Sequence, residues 1–289
     1  MTEGIFFMNR KKTIFILAVV LAVAAGFGLY VQEHGIVDTS GGNIGISAGQ
    51  AILIEGDTGR VLYEKCADQK AYPASTTKIM TALVTLEVLE RYDSPIEQKV
   101  TVPASAQGVE GSSIYLEAGE KISVEDLLYG LMLVSGNDAA EALAEIIGGG
   151  RENFVAMMND RAEELGCDGT HFTNPSGLFD EDHYTTVRDM AIIAREAMKN
   201  DVFRKIVASP SRKAERSMSE YIGFINKNKT IRQYEGGNGI KIGYTQSSGR
   251  TLVASATREG RTMIAVVMSA PDWFEDAYRL MDYGFARGK

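Results

Sequence analysis

Three short stretches of this sequence combine residue types that can catalyse acyl transfer. Ser75-Thr76-Thr77-Lys78 places a serine and a lysine three residues apart, Ser135-Gly136-Asn137 adds a hydroxyl and an amide, and Lys241-Ile242-Gly243 adds a second cation. Each stretch alone is weak evidence, because serine, lysine and glycine are common residues. Their order and spacing along one chain predict a serine nucleophile that is activated by a lysine.

Ser75 and Lys78 begin a segment, residues 75–90, whose apolar residues have helical spacing, so both side chains should project from one face. A serine hydroxyl is a poor nucleophile unless a base lies within hydrogen-bond distance. Lys78 can be that general base if burial and a nearby positive charge lower its pKa. We expect Lys241 to supply this charge from a strand.

The remaining polar residues of the three stretches have roles that follow from their chemistry. Ser135 and Asn137 follow the apolar run 131–134 and are expected to shuttle a proton beside Lys78 and to hold a substrate amide, respectively. Gly243 would let a substrate backbone lie against a strand. The backbone amides of Ser75 and Tyr244 would form an oxyanion hole. Lys241 and Thr245 would bind a terminal carboxylate.

Metal chemistry and nucleic-acid binding are both disfavoured by the residue pattern. His34, His171 and His183 are far in sequence from the three stretches, and no His-x-x-x-His motif predicts a metal peptidase. We therefore predict no metal site, and interpret His171 as a structural loop residue. The net charge is −8 and no basic stripe is present, so nucleic acid is not an expected partner.

Two cysteines are too few for a disulfide framework, which favours free thiols at Cys66 and Cys167.

The amino terminus differs from the rest of the chain in composition. Arg10, Lys11 and Lys12 precede an apolar run over residues 13–30, the pattern of a membrane anchor or an export signal. The basic side should stay in the cytoplasm, which places the later residues outside. We therefore predict a cytoplasmic stub and anchor or signal in residues 1–31, a linker in 32–46 and a catalytic domain in 47–289. A retained anchor is favoured over cleavage and secretion.

The catalytic domain is expected to have an α/β (α+β) fold. A hairpin around Gly56-Asp57-Thr58-Gly59 opens it, and strand patterns return at residues 239–244, 251–257 and 262–269. Helical patterns lie between, with Ser123 and Asp138 as candidate helix caps, and a last helix spans 273–285. We predict one antiparallel sheet, joined from both ends of the chain, that is flanked by helices and accompanied by an all-helical subregion.

At this level of detail the chain resembles the serine-type D-alanyl-D-alanine carboxypeptidases, which are low-molecular-mass penicillin-binding proteins related to β-lactamases and transpeptidases. The resemblance spans about residues 47–285. Beyond the three motifs it rests on further stretches, namely Pro73-Ala74, Gly111-Ser112-Ser113, Asn174-Pro175-Ser176-Gly177-Leu178, Arg188-Asp189-Met190-Ala191 and Gly239-Ile240 with Tyr244-Thr245.

This resemblance implies a peptidase that removes the terminal D-alanine from peptidoglycan stem peptides through an acyl-enzyme on Ser75. It implies that β-lactams acylate the same serine, that no cofactor is needed, and that catalysis takes place outside the cytoplasm at the cell membrane. It connects the chain to cell-wall synthesis and cell shape. Many relatives also carry a further domain and a carboxy-terminal anchor, so tethering here would fall to the amino-terminal segment.

Two other functions remain open from the sequence. A class A β-lactamase shares the motif order, but it needs a carboxylate that activates the deacylating water, and no Glu-x-x-Leu-Asn segment is present. A membrane-tethered peptidoglycan-binding protein with weakened catalysis is the second alternative. Its support is Ile242, because the family usually has threonine at this position.

The isoleucine at position 242 leads to a direct test. If a threonine hydroxyl there contacts the substrate carboxylate, its absence removes a hydrogen bond to a charged group of about 1.5–3 kcal/mol. We expect Ile242→Thr to raise D-alanine release from a pentapeptide roughly ten- to a hundredfold, whereas Ile242→Val, which adds no hydroxyl, should not. Equal rates for the two variants would refute this interpretation of the position.

Overall fold

A five-stranded antiparallel sheet forms the centre of the protein in this computed structural model, which describes residues 44–287. The strands are β1 Gln50–Glu55, β2 Val61–Lys65, β7 Gly237–Thr245, β8 Gly249–Arg258 and β9 Arg261–Met268. Their spatial order is β2, β1, β9, β8, β7, so the first hairpin pairs with the last strands, as predicted. This order leaves β7 at one edge of the sheet.

Helices pack on both faces of this sheet. They comprise α1 Lys78–Arg91, α2 Val124–Tyr129, α3 Asn137–Gly148, α4 Arg151–Glu164, α5 Val187–Ala197, α6 Asp201–Ala208, α7 Thr230–Gln233 and α8 Trp273–Ala286, with 3₁₀ turns at Ala74–Thr77 and Ala104–Ala106 and a π turn at Gly130–Val134. Ser123 caps α2 as predicted, since its hydroxyl accepts the Asp126 amide at 3.0 Å.

The alternation of side chains along the central strands divides the apolar core into two layers. In β9, Ile264, Val266 and Met268 face the layer formed with the larger group of helices. The intervening residues, Met263, Ala265 and Val267, face the layer under α8. Both faces of this strand are therefore buried, which explains its continuous apolar sequence. The aromatic side chains of α8, which include Trp273, Tyr278 and Phe285, pack against this layer of the core.

The region between β2 and β7 includes the helical stretch from α2 to α6, and it also contains short strands that the sequence did not predict. It contains two short hairpins, in which β3 Lys99–Thr101 pairs with β4 Lys121–Ser123 and β5 Ser211–Lys213 pairs with β6 Gly223–Ile225. Each of these strands has three residues, which is too short for an alternating pattern to be recognised in the sequence.

The predicted anchor and nearly all of the linker lie outside the described residues. Within residues 44–287, no helix is both long and apolar enough to cross a membrane. The domain boundaries at residues 31 and 46 remain predictions. Cys66 is exposed and Cys167 is buried, and both are free thiols, as expected from their number.

Candidate active site

Ser75 lies in the 3₁₀ turn Ala74–Thr77, which is held from two directions. The carbonyl oxygen of Pro73 accepts hydrogen bonds from the hydroxyl of Thr76 at 2.7 Å and from that of Thr251, on β8, at 3.1 Å. Ala74 has a φ of +48°, a left-handed conformation that costs a residue other than glycine about 1–2 kcal/mol. The contacts with the sheet therefore hold the serine in a turn that the isolated segment would disfavour.

Lys78, at the start of α1, is fully buried and its amine meets three oxygen atoms. Nζ lies 3.1 Å from Ser75 Oγ. It donates to Asn137 Oδ1 at 2.7 Å and to the carbonyl oxygen of Ser176. The structure thus brings the predicted base into contact with the predicted nucleophile. The Ser176 carbonyl was not anticipated, because a backbone acceptor has no signature in the sequence.

Two further cations surround this amine. Burial lowers the pKa of Lys78 well below its usual value, and the charge of Lys241 lowers it further. The carboxylates of Asp138 and Glu141 act in the opposite direction, and Lys227 makes a smaller lowering contribution. Burial also lowers the pKa of Lys241, to about 7, with Lys227 contributing. The sequence suggested the effect of Lys241, but it gave no signal for Lys227.

The helical register changes just before Ser135 and Asn137, and of these two residues Asn137 contacts Lys78. The π turn ends at Val134, and Ser135 adopts a left-handed conformation with a φ of +71°. Its hydroxyl makes no hydrogen bond to another residue in the range 44–287 and remains available. Asn137 begins α3, and its Nδ2 donates to the carbonyl oxygen of Glu110 at 2.7 Å. The Asn137 side chain therefore supports Lys78 and also holds the neighbouring loop.

Asp138 does not cap α3 as the sequence suggested, because it lies one residue inside the helix. Its carboxylate accepts hydrogen bonds from the backbone amides of Ile114 and Leu116 at 3.0–3.1 Å and from the Ser113 hydroxyl at 2.6 Å. A charged acceptor that satisfies several donors is a strong local anchor. Asp138 therefore fixes loop 110–116 beside Asn137.

Gly243 has a role within the protein that differs from the predicted contact with a substrate. A Cβ atom at this position would lie 2.9 Å from the Ser75 amide nitrogen and 2.5 Å from Thr251 Oγ1. Glycine is therefore required for β7 to approach the nucleophile turn. Lys241 is on the same face of the strand by alternation, and it is 1% exposed.

The other residues of this strand have different environments. Ile242 is half-buried and packs with the layer under α8, on the face opposite Lys241. Tyr244 is exposed, and Thr245 Oγ1 donates to Ser248 Oγ at 2.9 Å. The structure therefore places both residues at the end of β7 without testing their predicted binding roles.

The segment 174–178 forms a tight turn that supplies the Ser176 carbonyl. The side-chain oxygen of Asn174 accepts hydrogen bonds from the amides of Ser176, Gly177 and Leu178 at 2.8–3.2 Å. Thr81, on α1, donates to the carbonyl oxygen of Pro175 at 2.6 Å. This Asn-Pro-Ser-Gly-Leu stretch contributed to the family resemblance, but its structural task was not apparent from the sequence.

Two histidines lie near this turn. His183 is buried and its Nε2 lies 2.8 Å from Thr77 Oγ1, so it contacts the Ser-x-x-Lys motif despite its distance in sequence. Burial lowers the pKa of His183 to about 4. His171 holds its loop through a 2.6 Å contact between Nδ1 and the carbonyl oxygen of Asp182. No group of three or more potential metal ligands occurs within residues 44–287.

Comparisons with known proteins agree with this geometry. A family profile described as D-alanyl-D-alanine carboxypeptidase, peptidase family S11, matches residues 37–272. The chain belongs to this family. The D-alanyl-D-alanine carboxypeptidase DacF of Bacillus subtilis is 39% identical over 243 residues, which are 83% of this chain but 62% of that protein. The D-alanyl-D-alanine carboxypeptidase of Streptomyces sp. strain K15 is 36% identical over 259 residues, covering 83% of this chain and 88% of the relative.

Solved structures give the same result for the fold of this D-alanyl-D-alanine carboxypeptidase family member. The Streptomyces K15 DD-transpeptidase superposes with a TM-score of 0.77 at 36% identity, covering 83% of this chain and 98% of that one. The D-alanyl-D-alanine carboxypeptidase DacD of Francisella tularensis superposes with a TM-score of 0.79 at 27% identity, covering 84% and 71%. The expected fold class and family are therefore confirmed.

The contact between Gly177 and the nucleophile turn can be tested with a matched pair of substitutions. A Cβ at Gly177 would lie 1.9 Å from the carbonyl oxygen of Ala74, whereas one at Gly108 would meet no atom within 4 Å. Both glycines have a positive φ, so Gly108→Ala controls for backbone strain. We expect Gly177→Ala to slow acylation by penicillin at least tenfold, because the Ser75 turn must shift. Similar acylation rates in the two variants would contradict this account.

Proposed function

We propose that this protein is a serine-type D-Ala-D-Ala carboxypeptidase that removes the terminal D-alanine of peptidoglycan stem peptides. Ser75 attacks the peptide carbonyl, D-alanine leaves, and water hydrolyses the acyl-enzyme. β-Lactams acylate the same serine. The proposal rests on family membership and on one observation, the contact between the buried Lys78 amine and the Ser75 hydroxyl.

The arrangement around Lys78 supports its role as the general base. A neutral amine has two hydrogens and one lone pair. The side-chain oxygen of Asn137 and the carbonyl oxygen of Ser176 can only accept, so they take both hydrogens. The lone pair then points towards the third neighbour, Ser75 Oγ, and can receive its proton. In this mechanism Asn137 orients the base, in addition to any contact with a substrate amide.

The other roles follow from the positions of the remaining groups. The amides of Ser75 and Tyr244 would donate to the developing oxyanion, since the glycine before Tyr244 lies directly against Ser75. Ser135 would pass the proton to the departing amine, because its hydroxyl is free. Lys241 would bind the terminal carboxylate, with Thr245 beside it. Edge strand β7 would pair with the extended peptide.

The chemical environment also bears on location. Stem peptides and β-lactams are encountered outside the cytoplasm, so we propose an extracytoplasmic catalytic domain that residues 1–31 tether to the membrane.

Family membership favours this peptidase over a class A β-lactamase. The weakened peptidoglycan-binding protein remains the alternative to be tested, because Ile242 replaces the usual threonine.

The direct test is incubation of the purified protein with penicillin, followed by intact-mass measurement and peptide mapping, together with a D-alanine release assay on a pentapeptide. We expect a long-lived adduct on Ser75 and release of D-alanine, and Ser75→Ala should abolish both. Rapid release of hydrolysed penicillin would indicate a β-lactamase. An adduct without D-alanine release would indicate the weakened binding protein, and an adduct on another residue would exclude the proposed mechanism.

The charge states of the two buried lysines predict a bell-shaped pH profile for kcat/KM on the pentapeptide. Lys78 must be neutral to act as a base, so the rate should rise from acid pH through its lowered pKa. Lys241 must be charged to bind a carboxylate, and its pKa is lowered to about 7, so the rate should fall above about pH 7. Lys241→Arg keeps the charge and should remove the alkaline fall, whatever its absolute rate. Persistence of that fall in Lys241→Arg would assign it to another group.

A further inference from the structure

His183 is a buried histidine next to the candidate site whose function is not explained by the reaction steps above. It lies on the segment 170–185, and its side chain is almost fully enclosed, with 2% exposure. The backbone amide of Thr173 donates to Nδ1 at 3.0 Å, so Nδ1 carries no hydrogen. The hydrogen is therefore on Nε2, which donates to Thr77 Oγ1 at 2.8 Å. The ring geometry thus defines one tautomer.

The hydrogen-bond partners of this ring lie on the two sides of the proposed general base. Thr77 directly precedes Lys78 and ends the turn that holds Ser75. Thr173 directly precedes Asn174, whose side chain organises the turn that presents the Ser176 carbonyl to Lys78. The imidazole therefore connects the segment that carries the base with the segment that accepts one of its hydrogens.

The surroundings of the ring indicate that this connection is geometric and carries no charge. Phe172 packs against it in an edge-to-face contact with ring centroids 5.5 Å apart. Burial lowers the pKa of His183 to about 4; Asp180 opposes this shift, whereas His171 and Lys78 add to it. The ring is consequently neutral near neutral pH.

We propose that His183 is a positioning residue for the general base. Its hydrogen bond to Thr77 ties segment 173–178 to the turn before α1, beside the hydrogen bond from Thr81 to the Pro175 carbonyl, and this contributes to fixing the Ser176 carbonyl relative to Lys78 Nζ. With that acceptor in place, the lone pair of the neutral amine is directed at Ser75 Oγ. Loss of the lock leaves the substrate site intact but lets the amine rotate, so the proton-transfer step slows. This inference rests on the proposed function.

The test compares two isosteric substitutions on α1 and the turn before it. Thr77→Val removes the hydroxyl that His183 contacts. Thr85→Val, on α1, removes a buried hydroxyl that has no hydrogen-bond partner within the described residues, and it serves as the matched control. Stopped-flow acylation by a fluorescent penicillin separates the dissociation constant of the first complex from the acylation rate constant. We expect Thr77→Val to lower the rate constant roughly ten- to a hundredfold, with a dissociation constant within about twofold of wild type.

A second pair of variants changes the ring itself and keeps the test decisive if Thr77→Val does not fold. His183→Ala removes all hydrogen bonds of the ring, whereas the side-chain amide of His183→Gln can still donate to Thr77. We expect the acylation rate constant of His183→Gln to be at least about fivefold above that of His183→Ala, at equal penicillin binding.

The possible outcomes distinguish this inference from the proposed function. If Thr77→Val behaves like Thr85→Val while wild type is acylated normally, the positioning role is refuted and the proposed function stands. If penicillin binding and the rate constant fall together, or if glutamine gives no recovery over alanine, His183 is only a folding residue and the inference also fails. If wild type is not acylated at all, both the proposed function and this inference are wrong.

Discussion

The site depends on one buried amine, that of Lys78, whose hydrogen-bond partners are fixed by the surrounding structure. Lys78 lies in an interior where an uncompensated ammonium would be costly, and two neighbouring lysines add to that cost. Two carbonyl oxygens, from Asn137 and Ser176, still hold it in a fixed orientation. The protein thus favours a neutral amine without losing control of its direction. The turn at Ser75, the change of register before Ser135 and the segment 174–178 all contribute to this arrangement.

A buried ion pair between Arg216 and Glu120 lies next to the site. Arg216 and Glu120 have no exposed side-chain area, and the guanidinium also donates to the backbone of Ile114 and Tyr115. The same loop is bound by Asp138 from the other side. A buried ion pair contributes little net stability on its own, but removing one partner is costly. The pair therefore acts mainly to define the conformation of the loop that contacts Asn137.

Much of this architecture could be predicted from the sequence because its signals are local. The opening hairpin, the three last strands and the helix at 273–285 each have a clear apolar period, and the motif serines and lysines carry their chemistry in their side chains. The contributions that were missed have no such signal. The Ser176 carbonyl is a backbone group, Lys227 lies in a segment without periodicity, and His183 reaches Thr77 only through the tertiary fold. Gly243 was recognised as a functional residue, but the sequence did not show that glycine allows β7 to lie close to Ser75.

The strand order also constrains when reactivity can arise during biosynthesis. β1 is paired on one side by β9, which is close to the carboxy terminus, and the turn with Ser75 is held by Thr251 on β8. Neither partner exists until the polypeptide has been made as far as residues 249–268. The surroundings of Ser75 are therefore incomplete until these strands are synthesised, and a polypeptide that stops before β8 lacks the Thr251 contact that holds the turn.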